Sequence, residues 1–295
     1  MSKPDWSVDG RDWPNRESSR FGTAGGMRWH VQVAGAGPVL LLLHGAGAAT
    51  HSWRDLLPLL AQDFTVVAPD LPGHGFTATP AAAGLTMPGM ARGIAALLAE
   101  LGLVPDAIVG HSAGAGIALR MVLDGLVPPV PLVSLNGALL PFPGIAARLF
   151  PGIARLLFVN PLVPRILSLQ ARQPGAVERV IKGTGGTIDA RGIALYSRLF
   201  ARSGHVAGTL GMMANWDLET LRRDLPRYPR TAALTLIAAA GDTAVPPTVS
   251  RQVAALIPGA DLRLLPGLGH LMHEQDPGEL APLIRAAASG TAASP

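Results

Sequence analysis

Short apolar runs alternating with helical patterns constrain this chain more than any other feature. Val39 to Leu43, Phe64 to Ala68, Ala107 to Gly110, Val130 to Leu135 and Ala233 to Ala240 are each bounded by Gly, Pro or Asp. Continuous apolar runs of this kind are what strands become when both faces of a sheet are covered. Between them, His51 to Ala61 and Met87 to Leu101 repeat apolar residues at helical spacing, and Ala113 to Leu123 follows a strand directly. That order, β-α-β-α, predicts an α/β fold: an open, mostly parallel sheet flanked by helices. Met27 to Val33 and Leu262 to Leu265 add outer strands, for about eight in all.

The alternation breaks after Leu135, where roughly ninety residues precede the next strand, although a crossover needs only about a dozen. The expected organisation is a core of residues 1–139 and 231–295 with a helical cap inserted at 140–230. At 295 residues and 48% hydrophobic, the chain can bury one large core. The longest apolar stretch, Phe142 to Leu169, is broken by Pro143, Pro151, Pro161 and Pro164 and carries Arg148, Arg155 and Arg165. It reads as short cap helices and not as a membrane span.

Composition removes several function classes. Without cysteine there is no disulfide framework, thiolate zinc site or cysteine nucleophile. The net charge of +4 does not imply nucleic-acid binding, but its distribution is uneven: residues 141–230 hold 13 Lys and Arg against 5 Asp and Glu. A solvated basic surface accounts for this, and so does a rim for an anionic ligand or membrane. The polar, mixed-charge start of the chain lacks the apolar core of a secretory signal, so the expected location is cytoplasmic.

The chemistry centres on Gly110-His111-Ser112-Ala113-Gly114, which lies between a strand and a helix. That context is what a G-x-S-x-G nucleophile elbow requires, with the serine hydroxyl lifted above the sheet. A helix N-cap is the competing reading. A serine needs a base to take its proton, and the base needs an orienting acid. Asp242 follows the strand ending near Ala240, and His270 follows Leu264 to Leu265, giving the order Ser, Asp, His at one sheet edge. Alone, Asp242 would read as a turn or cap residue before Pro246.

Among eight histidines, His44, His74 and His111 fall in loops near this site, while His30, His51 and His205 have no motif context and read as structural or surface residues. His273 competes with His270, as base or as a paired metal ligand, but no further ligands can be placed, so no metal or cofactor is assigned. Backbone N–H groups best stabilise developing oxyanion charge. Ala113, just after the serine, supplies one, and Ala46, in the loop His44-Gly45-Ala46-Gly47, supplies the other. A merely tight glycine turn is the alternative there.

His44-Gly45, Asp70-Leu71-Pro72-Gly73-His74-Gly75, the elbow, Asp242 and Gly269-His270 together resemble the α/β-hydrolase family over nearly the whole chain. More narrowly, Trp13-Pro14-Asn15-Arg16, Trp29-His30-Val31-Gln32, Thr50-His51-Ser52-Trp53-Arg54, Gly73-His74-Gly75-Phe76-Thr77 and Leu135-Asn136-Gly137-Ala138-Leu139-Leu140-Pro141-Phe142 are similar to the magnesium chelatase accessory proteins of bacteriochlorophyll biosynthesis. This resemblance implies a role near magnesium insertion into a porphyrin. Arg148, Arg155, Arg172 and Arg179 would meet the carboxylates of such a ring.

Two functions compete. One is a serine hydrolase acting on an ester or related carbonyl. The other is a non-catalytic accessory whose pocket binds a tetrapyrrole or a magnesium chelatase subunit. Peripheral membrane contact through the basic cap is a third, weaker expectation.

Overall fold

The computed structural model describes residues 1–141, 160 and 162–289. Its strands are β1 (Ser19–Ala24), β2 (Met27–Ala34), β3 (Val39–Leu43), β4 (Thr65–Pro69), β5 (Ala107–His111), β6 (Leu132–Leu135), β7 (Leu234–Ala239) and β8 (Asp261–Leu265). They form one sheet in the order β1-β2-β4-β3-β5-β6-β7-β8. β2 is antiparallel to β1 and β4, and every other pairing is parallel. The chain winds outward in both directions from β3, so the switch in strand order lies between β3 and β5. Ligand crevices in open α/β sheets form outside the carboxyl ends of strands at such a point.

Residue alternation divides the core between the two faces. Leu41, Leu43, Val67 and Ile108 face α2 (Met87–Leu101), α3 (Ala113–Leu123) and α9 (Pro247–Leu256). Leu40, Leu42, Val66 and Val109 face α1 (Leu56–Leu60) and α11 (Pro277–Ala288). The long helix α2 has clear stops: Thr86 caps its start by accepting from Gly89 N–H, and Gly102 ends it at φ 67°.

The sheet has the expected eight strands, one of them without an apolar run, and one expected helix is broken. β1 was not among the apolar runs, because as an edge strand it buries only Ala24 and carries no apolar signal. The predicted helix His51 to Ala61 is instead a 3-10 turn, Thr50–Trp53, followed by the short α1. Pro58 explains the break, since its ring would clash with the carbonyl of residue 54 in a longer helix.

Between β6 and β7 the described residues form α4 (Val163–Gln170), α5 (Ala176–Lys182), α6 (Ala190–Phe200), α7 (Ser203–Ala214) and α8 (Leu218–Asp224). Arg148, Arg155 and most of the apolar stretch lie outside the described residues. Arg172 and Arg179 do not share a helix face despite their seven-residue spacing, because a turn through Gly175 at φ 72° separates α4 from α5. Part of the basic excess is neutralised by the first residues of the chain. Arg198 pairs with Asp12 and Arg202 with Asp9, both at 2.6 Å.

Candidate active site

The sharp turn from β5 to α3 holds Ser112 at φ 50° and ψ −117°, a conformation that L residues rarely adopt. Both flanking glycines are required sterically. A Cβ on Gly110 would stand 2.4 Å from Ala115 Cα, and one on Gly114 would stand 2.1 Å from the Leu43 carbonyl oxygen. Strand pairing aligns this turn with its neighbours, and Ser112 N–H donates to Leu135 O at 3.0 Å. Ser112 is half-buried and therefore reachable.

The loops after β7 and β8 bring Asp242 and His270 together. His270 Nδ1–H donates to Asp242 Oδ2 at 2.7 Å. The other carboxylate oxygen accepts from Ala244 N–H and Val245 N–H, each at 2.8 Å, which fixes the acid's orientation. No hydrogen bond joins Ser112 Oγ to His270 among the described residues. His273, the competing histidine, is fully buried on α10 (Met272–Gln275) and contacts Trp53 and His111. Burial pushes its pKa down to about 3, and neither ring nitrogen has a hydrogen-bond partner. It makes no bond to Asp242. No group of three His, Asp or Glu among the described residues is placed to hold a metal.

Neither Ala113 N–H nor Ala46 N–H has a backbone acceptor among the described residues. The peptide joining Gly45 to Ala46 is oriented by His44, whose Nδ1–H donates to Gly45 O at 2.8 Å while Nε2 accepts from Leu71 N–H at 2.9 Å. Because a trans peptide points its C=O and N–H in opposite directions, a carbonyl held toward His44 turns Ala46 N–H away from it. Ala46 is exposed between buried Gly45 and Gly47, and a Cβ on Gly45 would lie 3.1 Å from Ser112 Cβ.

Sequence reasoning missed several residues that shape this site. Asn136, at φ 45° just past β6, donates to the carbonyls of Gly269 and His270 at 3.0 Å and accepts from Ala239 N–H at 2.8 Å. His111 Nε2–H donates to the same His270 carbonyl at 2.9 Å. The β6–β7 segment also reaches the site: Thr184 O accepts from His270 N–H and Thr243 N–H, both at 3.3 Å. Gly185 fits there only without a side chain, since a Cβ would lie 1.9 Å from Gly241 O. The signals were present in the sequence as Asn136-Gly137 after a strand and as the pair Gly185-Gly186, both marks of tight turns or close approach. All eight histidines are buried, so none of His30, His51 and His205 is a surface residue.

Residues 40–283 match the model of the alpha/beta hydrolase family, and the chain belongs to that family. Within it, the sequence is 42% identical over 269 residues to the magnesium-chelatase 30 kDa subunit of Rhodobacter capsulatus, covering 89% of this chain and 92% of that one. Solved structures share the fold at lower identity. The epoxide hydrolase CorEH superposes with a TM-score of 0.76 at 21% identity, over 93% of this chain and 99% of its own. An esterase from Exiguobacterium antarcticum gives 0.74 at 19% identity, over 91% and 98%.

Proposed function

We propose that this chain is a serine hydrolase serving as an accessory factor in magnesium-tetrapyrrole biosynthesis. The observation that carries the catalytic half is the 2.7 Å bond from His270 to a fully oriented Asp242, at the same sheet edge as the strained Ser112. Ser112 Oγ attacks an ester or related carbonyl carbon while His270 Nε2 takes its proton. The imidazolium then protonates the leaving oxygen as the carbonyl-to-oxygen bond breaks, and water, activated by the same histidine, releases the acid. Asp242 stabilises the imidazolium. Ala46 and Ala113 N–H groups hold the tetrahedral oxyanion. Ser112 Oγ and His270 make no hydrogen bond, and bonds of this kind commonly tighten only once substrate is bound. The 42% identity to a chelatase subunit supports the biosynthetic half.

The same missing bond favours a second reading, in which the site binds a tetrapyrrole or a chelatase subunit without chemistry. In that reading the β6–β7 segment acts as a cap whose exposed Arg172 and Arg179 face ring carboxylates. Exposed Leu162, Ile166 and Leu169 beside Arg165 on this segment support peripheral membrane contact, to be checked by co-sedimentation with anionic liposomes at low and high salt. Among the described residues no helix is long and apolar enough to cross a membrane. Turnover of short p-nitrophenyl esters, paired with pigment recovery in a bacteriochlorophyll-producing strain lacking the gene, separates the readings. The hydrolase reading expects turnover by the wild type and failure of a folded Ser112→Ala protein in both assays. Full pigment with Ser112→Ala would establish the binding role instead.

A further inference from the structure

His205 stands apart from the motifs, yet it touches the loop that carries a proposed oxyanion donor. It lies on α7, in the segment between β6 and β7, and is fully buried. Its Nε2–H donates to Gly47 O at 3.1 Å, and its Nδ1 accepts from Gly75 N–H at 3.1 Å. These two partners fix the tautomer: a carbonyl only accepts and an amide N–H only donates. Burial lowers its pKa to about 4, so the ring is neutral near pH 7 and both bonds can form together.

The consequence follows from what surrounds Ala46. Glycines flank it on both sides, and glycine imposes little resistance to rotation of the neighbouring peptides. Two carbonyls bracket the exposed Ala46, and both are held by histidines: Gly45 O by His44 from the end of β3, and Gly47 O by His205 from the insertion. The insertion is pressed closely against this loop and against the turn at Gly73 after β4. A Cβ on Gly47 would lie 2.8 Å from Phe200 Cζ, and one on Gly208 would lie 2.0 Å from Gly73 O.

We infer that His205 is a positioning residue for the oxyanion hole: His44 directs the Ala46 N–H through Gly45 O, and α7 of the insertion braces that arrangement by holding the Gly47–Ala48 peptide, whose Ala48 N–H donates to the same Gly45 O at 3.2 Å. This rests on the hydrolase reading. The catalytic site is then complete only when the insertion is seated, which couples occupancy of the insertion to transition-state stabilisation. His205 touches no reacting atom and acts through the Gly47 carbonyl alone.

Isosteric replacements separate this role from simple packing. Asn places an acceptor where Nδ1 stands but cannot reach Gly47, whereas Gln places an N–H near the Nε2 position. The readout is the second-order rate of phosphonylation by a fluorophosphonate, alongside kcat and KM on a p-nitrophenyl ester and the melting temperature of each variant. His205→Asn is expected to slow phosphonylation and kcat by about 10- to 100-fold with KM nearly constant, somewhat less than full loss of an oxyanion donor. His205→Gln is expected to stay within about threefold of wild type. Equal rates for folded Asn and Gln variants would overturn the inference, as would a loss confined to KM or to melting temperature. If the wild type itself resists the probe, the hydrolase reading fails and this inference with it; a reactive wild type matched by a reactive His205→Asn overturns the inference alone.

Discussion

His270 and Asp242 meet through Nδ1 and Oδ2 at 2.7 Å, and so do His30 and Asp70 beside β1. Ser19 Oγ lies 3.1 Å from His30 Nε2, which completes a second serine–histidine–aspartate relay in the same chain. In both, the carboxylate also accepts two backbone amides: Ala244 and Val245 at Asp242, Thr50 and Phe76 at Asp70. The surroundings differ. His30 and Asp70 are fully buried, with the rings of Trp6, Phe21 and Phe76 packed against His30. Ser19 sits in an ordinary antiparallel strand opposite Gln32, whose amide also donates to it. Ser112 is instead held at positive φ in a turn, with the unpaired Ala113 amide next to it. Of the two sets only the Ser19 one is hydrogen-bonded throughout, and both serines are half-buried; what sets Ser112 apart is its positive φ beside an unpaired amide, which supports the proposal that it is the nucleophile.

Mutation separates the two serines, and the largest effect is expected at Ser112 and His270. Ser112→Ala or His270→Ala should lower ester turnover by at least about 10³-fold with circular dichroism unchanged. A comparable loss from Ser19→Ala would erase the distinction. Next comes Asp70→Ala, which leaves His30 and two buried amides without their acceptor and should cost about 3 kcal/mol or more in urea unfolding, with activity per folded molecule retained. Burial alone would raise the Asp70 carboxyl, but His30 and the Phe76 amide overcome this and hold it well below the usual carboxylate range. Its contribution is thus present above the unfolded value and lost as pH falls below about 4, and Asp70→Asn should flatten that acid limb.

Glu274 provides a control for buried acids near the site without a relay. Burial raises it to about 7, against the Arg54 guanidinium and the Tyr196 hydroxyl that pull it down. A raised acid binds its proton more tightly when folded, so its contribution to stability declines as pH rises from about 4.5 to 7. Glu274→Gln should reduce the difference in melting temperature between pH 5 and pH 8 by about 2–4 °C. The smallest effect on turnover belongs to Ser19→Ala, with none expected and about 1–2 kcal/mol of stability lost with its hydrogen bonds to His30 and Gln32.

Much of this architecture is legible in the sequence, because buried parallel strands leave uninterrupted apolar runs and the elbow has fixed glycines. Ser112, Asp242 and His270 could be proposed from their places after those strands. β1 could not, since an edge strand carries little apolar signal. The His30–Asp70 relay was equally hidden: His30 and Asp70 are forty residues apart by number, and only the antiparallel pairing of β2 with β4 brings their ends together. His205 was hidden for the same kind of reason, because its partners Gly47 and Gly75 are backbone groups of distant loops. Side chains that bind backbone leave no pairwise residue pattern to read.

Under the proposed function Ser112, and not Ser19, is the activated serine. Wild-type protein labelled with a fluorophosphonate, digested and mapped by peptide mass spectrometry tests this most directly. The expected result is a single phosphonyl adduct on Ser112 that disappears in folded His270→Ala protein. An adduct on Ser19, or a folded wild type with no adduct at Ser112, would contradict it.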